Sequence, residues 1–115
     1  MSFTGSCHCG AVAYTCSDPV PTEATTCNCS ICRRKGAVLH FTSPENVAFN
    51  LDEAALGRYQ FHRRIITHSF CLKCGLSAFA DVNLPGEAPV VALNLRCADI
   101  DLDVVTTHEF DGASL

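Results

Sequence analysis

The sequence predicts an all-β fold of short antiparallel sheets, and two observations carry that prediction. Short segments of alternating or apolar character recur along the 115 residues, separated by turn-forming Pro, Gly, Ser and Asn residues. Seven of the nine cysteines fall into three tight clusters able to staple such sheets: Cys7-His8-Cys9-Gly10, Cys27-Asn28-Cys29-Ser30-Ile31-Cys32 and Cys71-Leu72-Lys73-Cys74-Gly75.

The first predicted strand is Ala11 to Thr15. Val12 and Tyr14, with Cys16 beyond them, share one face while smaller residues take the other, so Cys16 belongs to the core. Ser17-Asp18-Pro19 and Pro21-Thr22-Glu23 are turn signals, because proline fixes φ and Ser and Asp hydrogen-bond their own backbone. Strands follow at Ala37 to Thr42 and Val47 to Asn50, with Ser43-Pro44-Glu45-Asn46 as the turn between them. Asp52 to Gly57 reads as one helical turn ending at Gly57, too short to change the class. Arg58 to Phe61, Ile65 to Phe70, Ser77 to Val82 and Val90 to Leu95 complete the strands, with Leu84-Pro85-Gly86-Glu87 reversing the chain before the last. No repeat, linker or low-complexity tract interrupts residues 1–115, which read as one domain.

Apolar residues make up 48% and charged residues 17%, with a mean hydropathy of +0.19, so the chain can bury a core and a disordered reading is excluded. A domain this small still gains from staples. The formal charge of −4 and pI near 5.6 give no general attraction to nucleic acid or an anionic membrane. The densest basic run is Arg33-Arg34-Lys35, with Arg63-Arg64 further on; both are local features. No apolar run approaches the roughly 18 residues that span a bilayer, and the N-terminus lacks a basic segment followed by an apolar one. The expected location is therefore the cytoplasm. In that reducing compartment clustered cysteines are metal ligands or redox groups rather than disulfides, and an odd total also argues against a closed disulfide framework.

The spacing of the cysteines is that of thiolate ligation to zinc. A structural zinc takes four protein ligands, whereas a catalytic one takes three and keeps a position open, and seven divides into four and three. In Cys71-x-x-Cys74-Gly75 the two spacers turn both sulfurs toward one ion, and a glycine after the second cysteine can take positive φ so that the backbone curls round the metal. Cys7-His8-Cys9-Gly10 repeats the idea with one spacer fewer. Each half supplies two ligands, so Cys7, Cys9, Cys71 and Cys74 are assigned to one structural zinc. That site closes the long loop between Cys9 and Cys71 and makes folding metal-dependent. The alternative, two separate redox pairs, lacks the strand-helix setting of a dithiol oxidoreductase.

Cys27, Cys29 and Cys32 place three thiolates within six residues, enough to cup a second zinc on one loop. Cys16 and Cys97 read as small buried hydrophobes, and His8, His40, His62, His68 and His108 show no pairing with this loop. The fourth position is then free for water or a substrate sulfur. Three thiolates leave a net charge of about −1, which makes this zinc a weak acid suited to a soft thiol. Arg33, Arg34 and Lys35 can offset that charge and hold carboxylates of a small anionic thiol, or form an ordinary solvated turn.

At these residues the chain resembles the glutathione-dependent formaldehyde-activating enzyme family, also called the centromere protein V/Gfa family. Its C-H-C-G pattern matches Cys7 to Gly10, its C-x-C-S-x-C-R matches Cys27 to Arg33, and its F-C-x-x-C-G matches Phe70 to Gly75. The resemblance implies a β-tent-like fold with two zincs, the outer motifs building the structural site and the central one the catalytic site. It further implies carbon-sulfur bond chemistry, in which glutathione adds to formaldehyde to give S-hydroxymethylglutathione, the reverse being a carbon-sulfur lyase reaction. The expected partner is therefore glutathione or another small thiol-aldehyde adduct, and the rival reading is a non-enzymatic zinc module that binds a protein. His40 and His68 are proton-transfer candidates by titration range alone, with structural roles preferred.

Overall fold

A computed structural model describes residues 2–114. Its strands are β1 (Phe3–Ser6), β2 (Val12–Cys16), β3 (Glu23–Cys27), β4 (Leu39–Thr42), β5 (Val47–Leu51), β6 (Leu56–Tyr59), β7 (Ile66–Cys71), β8 (Phe79–Val82), β9 (Val90–Asn94) and β10 (Thr106–Phe110), with one short helix, α1 (Ser30–Lys35). They form a three-stranded sheet in the order β1-β2-β5 and a seven-stranded sheet in the order β10-β3-β4-β9-β8-β7-β6. No described helix is long and apolar enough to cross a membrane. The fold is the expected all-β class, with every strand pair antiparallel except β10 and β3, which run parallel.

Each of the seven predicted segments overlaps a strand, although β6 ends at Tyr59 and begins two residues before the predicted Arg58, and three further strands carry no pattern that alternation can find. β1 is four residues long and includes Gly5; β3, Glu-Ala-Thr-Thr-Cys, is mostly polar; β10 is exposed at every position. Their pairing comes from partners distant in sequence. The stretch from Asp52 also departs from expectation. The Asp52 carboxylate accepts from the Ala54 amide at 3.0 Å and starts a single 3-10 turn over Glu53–Ala55; Leu56 then enters β6, so Gly57 lies within a strand instead of ending a helix. The central cysteine segment, read as a loop, instead leads from β3 into α1.

The core lies between the two sheets. From the smaller sheet come Phe3, Val12, Tyr14 and Cys16, whose alternate burial along β2 is as the sequence predicts. From the larger come Phe79, Val91 and Leu93, joined by Val38, Leu56 and Leu95. Burying side chains of this size contributes about 1.5–3 kcal/mol each. Phe3 packs edge-on against Tyr14 at 6.4 Å, and Phe49 meets Phe79 at 4.4 Å.

Strand register sorts the larger sheet into two faces. Directly paired residues share a face, so His40, Leu93, Phe79 and Ser69 form a row turned to the core. One position over, Phe41, Ala92, Ala80, His68 and Tyr59 form a row on the outer face. By the same parity Thr25 and Cys27 lie with Leu39 on the outer face, and Cys71 lies with Ser69 on the inner one.

A part-buried hydrogen bond ties the sheets together, where the Tyr14 hydroxyl donates to the Asn94 carbonyl at 3.1 Å. Tyr14→Phe keeps the ring and removes this donor. The expected cost is about 1 kcal/mol in urea unfolding of the metal-loaded protein, with metal content unchanged.

Candidate metal centres

The four cysteines of the outer motifs meet where the β1–β2 connection reaches the end of β7. Their sulfurs all lie within 4.8 Å of one another, with Cys7 to Cys9 at 3.7 Å and Cys9 to Cys71 at 3.6 Å. Four sulfurs each about 2.3 Å from a central ion would stand roughly 3.8 Å apart at the corners of a tetrahedron. All four are free thiols. Both glycines that follow the second cysteine, Gly10 and Gly75, have positive φ (85° and 82°), as the knuckle geometry requires. The turns close through Gly10 N–H to the Cys7 carbonyl and Gly75 N–H to the Cys71 carbonyl, while the Val12 and Lys73 amides donate to the sulfurs of Cys7 and Cys71.

The electrostatics of this cluster suit a cation. Backbone amides of Leu76 and Cys9 hold the Cys74 thiol down at about 6, and the amides of Cys74 and Lys73 lower Cys71. The Ala11 amide favours ionised Cys9, but desolvation and hydrogen bonds with Cys71, Cys7 and Cys74 outweigh it and push that thiol up to about 11. Cys9 thus opposes ionisation where Cys71 and Cys74 favour it, and a positive ion bound among them would favour the thiolate at each.

Cys27, Cys29 and Cys32 form a second cluster, again with sulfurs within 4.8 Å of one another and all three partly exposed. Cys27 ends β3, Cys29 precedes α1 and Cys32 lies one turn into it, so strand, connection and helix each place one sulfur. The helix stops at Gly36, whose amide returns to the Cys32 carbonyl at 3.0 Å. Cys32 packs on Ala37, Leu39, Ala80 and Ala92, where small outer-face side chains let the helix approach the sheet. Burial opposes ionisation of Cys29, but hydrogen bonds from the Cys32 and Ile31 amides and from the thiols of Cys32 and Cys27 lower its pKa; burial and its two neighbours push Cys32 up to about 12. As in the first cluster, a cation would resolve the competition.

The C-terminal strand covers this cluster from the side. Phe110 pairs with Cys27, the Asn28 amide donates to the Phe110 carbonyl, and the Asn28 side chain bonds both Asp111 and the Ala113 amide. Gly112 sits so close that a Cβ on it would lie 2.6 Å from the Cys27 sulfur and 3.2 Å from the Cys29 Cβ. Sequence reading passed over Gly112 and Asn28 because their relation to the cysteines exists only after β10 pairs with β3.

The structure also separates the other candidates. Arg33 and Arg34 are exposed, and the Arg34 guanidinium bonds the Ser30 carbonyl; Lys35 alone of the basic run turns inward, with Nζ 3.4 Å from His68 Nδ1. His40 faces the core side of the sheet, away from Cys32, where its Nε2 is 2.8 Å from Asp18 and its ring meets Phe3 edge-on. Cys16 is fully buried and lies with Asp18 and His40. Cys97 packs at the edge of the core with its thiol toward the Ser77 carbonyl, and burial raises the pKa of both. His108 pairs with Glu23 on the outer edge.

Fold and site together define a cysteine-rich two-sheet β protein with a four-sulfur cluster on the inner face of its larger sheet and a three-sulfur cluster on the outer. The family model described as glutathione-dependent formaldehyde-activating enzyme matches residues 2–108, and the chain belongs to that family. Its structure is similar to a structural-genomics crystal structure of a Rhodobacter sphaeroides protein, at 26% identity and a TM-score of 0.74 over 91% of this chain and 99% of the other.

Gly112→Ala tests whether the C-terminal strand shapes the outer cluster. The added methyl has to displace Cys27 or the strand, so divalent-metal affinity at the three-cysteine cluster should fall by about tenfold or more while the four-cysteine cluster still fills. Titration with cobalt(II), followed by its thiolate absorption, resolves the two.

Proposed function

We propose that this chain is a zinc-dependent carbon-sulfur lyase acting on a thiol-aldehyde adduct of the S-hydroxymethylglutathione kind, with two zincs per chain. The observation that carries this reading is the difference between the clusters. Cys7, Cys9, Cys71 and Cys74 form a closed set of four, two of them buried, whereas Cys27, Cys29 and Cys32 form a partly exposed set of three. Four thiolates saturate a tetrahedral ion and three leave one place for a ligand. The family description supplies the thiol, glutathione, and the one-carbon partner, formaldehyde. A cytoplasmic location is part of this reading.

In this reading Cys7, Cys9, Cys71 and Cys74 hold the structural zinc and Cys27, Cys29 and Cys32 the catalytic one. When bound, the catalytic zinc keeps a substrate thiol ionised and so makes its sulfur a nucleophile in addition and a stable leaving group in cleavage. The protein does the rest by placement. The Ala80 and Ala92 surface backs Cys32 with apolar side chains and limits water on that side, while Gly112 and the Asn28 hydrogen bonds fix Cys27 and Cys29. Lys35, one helical turn beyond Cys32, offsets the negative charge of the three thiolates.

A second reading rests on one feature. Cys29-x-x-Cys32 follows a strand and opens a helix, the setting of a dithiol redox pair that the outer cysteine motifs lack. The lyase reading is preferred because Cys27 stands within reach of both sulfurs, as a three-ligand metal cup needs.

Cys29→Ser is expected to keep the fold and one zinc and to lose at least about a hundredfold in adduct formation, because the outer ligand set is broken. Cys71→Ser is expected to lose both zinc-dependent stability and solubility, since structural zinc contributes free energy on the order of 10 kcal/mol. Elemental analysis reads the zinc content, circular dichroism the fold and its thermal stability, and a formaldehyde-glutathione adduct assay the activity. Normal activity in Cys29→Ser, or a Cys29–Cys32 disulfide formed in preference to zinc loading, would move the redox reading ahead.

A further inference from the structure

The outer-face row that carries Ala92 and Ala80 continues to His68 and Tyr59. Neighbouring Cβ atoms in such a row lie roughly 4.5–5.5 Å apart, so His68 is the next side chain along from the alanine on which Cys32 rests. Its Nδ1 is 3.4 Å from the Lys35 ammonium, and Phe61 stacks on its other side at 5.7 Å, with Tyr59 stacked on Phe61 in turn. His68 is buried, and its Nε2 has no hydrogen-bond partner.

Lys35 is unusual in the same neighbourhood. It is half-buried yet takes part in none of the ion pairs among the described residues, which join His40 to Asp18, Arg58 to Glu53 and His108 to Glu23. Burial pushes its ammonium below the ordinary lysine value, although the Cys32 and Cys29 thiols favour the charge. Burial, and then Lys35 itself, push the His68 imidazole down to about 4; because an ammonium can only donate, the contact with Lys35 selects the neutral tautomer whose Nδ1 accepts and whose proton is on Nε2. One Lys35 proton is therefore directed to His68, its other donors have no hydrogen-bond partner among the described residues, and the residue stands one helical turn beyond Cys32.

Resting on the adduct-lyase reading, we propose that Lys35, aimed by His68, is the oxygen-binding catalytic residue of the Cys27/Cys29/Cys32 centre, holding the hydroxyl or carbonyl oxygen of the one-carbon unit whose carbon is joined to the substrate sulfur. His68 is a positioning residue. In addition, the thiolate sulfur forms a bond to the carbonyl carbon, the C=O π pair moves to oxygen, and that oxygen takes a proton from water. In cleavage, the C–S bond breaks with its pair on sulfur, the O–H pair forms C=O, and the proton leaves to water. No outside oxidant or reductant is needed. A lysine donor gains strength as oxygen becomes anionic, so it favours the transition state in either direction. The site then selects small ligands with sulfur and oxygen on the same carbon.

Binding by the cobalt(II)-loaded protein tests this without turnover. Thioacetate carries sulfur and a carbonyl oxygen that share one negative charge on one carbon, and ethanethiol carries sulfur alone. The probe is the shift of cobalt-thiolate absorption on titration with each. Lys35→Met should weaken thioacetate by about tenfold or more, as expected for a lost charged hydrogen bond, and leave ethanethiol within about twofold. His68→Phe should lower the thioacetate preference in the same direction by less, and Lys35→Arg should restore part of it. If Lys35→Met fails to load two metals, Lys35→Gln carries the same comparison; loss of metal in both neutral variants would assign Lys35 to holding the centre together and overturn the proposal. If wild-type absorption responds to both ligands and Lys35→Met changes both alike or neither, the Lys35 assignment alone is overturned. A wild-type centre that responds to neither ligand would overturn the lyase reading itself.

Discussion

Four sulfurs held within one tetrahedron's reach are the constraint on which the rest of the molecule depends. Cys7 and Cys9 lie just beyond β1, and Cys71 and Cys74 lie at the end of β7, so the cluster fastens the small sheet to the large one across most of the chain's length. A domain of this size buries a limited apolar surface, and closing so long a loop removes much of the freedom that its unfolded chain would otherwise keep. Backbone amides that lower Cys71 and Cys74, beside a Cys9 thiol that is pushed up, make the same cluster one that a cation would suit. The inner-face position of Cys71 then brings Phe3, Val12 and Tyr14 against Phe79 and Leu93.

With that face committed to the core, chemistry is displaced to the other. Alternation along each strand is absolute, and a one-residue slip would exchange the faces. The register that buries Leu93 and Phe79 necessarily turns Ala92, Ala80 and His68 outward, and the register that pairs Phe110 with Cys27 brings Gly112 over the cysteine cup. Alanines at the centre of the outer row matter because larger side chains would lift α1, and Cys32 with it, off the sheet. The site is thus a by-product of the same pairing that makes the core.

Charge is arranged around the outer cluster with comparable economy. Of three consecutive basic residues, only the third turns inward, because one helical turn separates it from Cys32. Two histidines that look alike in sequence are separated by the sheet itself. His40 is held by Asp18 on the core side, while His68 sits on the outer face under Phe61 and beside Lys35.

Much of this was legible in the sequence, and for local reasons. Metal-ligand spacing is written in neighbouring residues, so both sulfur clusters follow from three short motifs, down to the positive φ of Gly10 and Gly75. Alternating apolar residues likewise marked the strands that face the core. What sequence could not reach was anything decided by a distant partner. β1, β3 and β10 are short or polar, and they become strands only because other strands offer them hydrogen bonds; the six residues of α1 are too few to signal a helix, and Asp52 starts a turn that the next strand immediately ends. The role of Gly112 depends on the β3–β10 pairing, and the approach of His68 to Lys35 on β7 lying beside β8 and β9 beneath the helix. Sequence by itself determined which side chains can bind metal, because ligation is chemistry of residue type and spacing. Tertiary structure decided which face each cluster occupies and what stands next to it, because strand pairing joins residues that the chain keeps far apart.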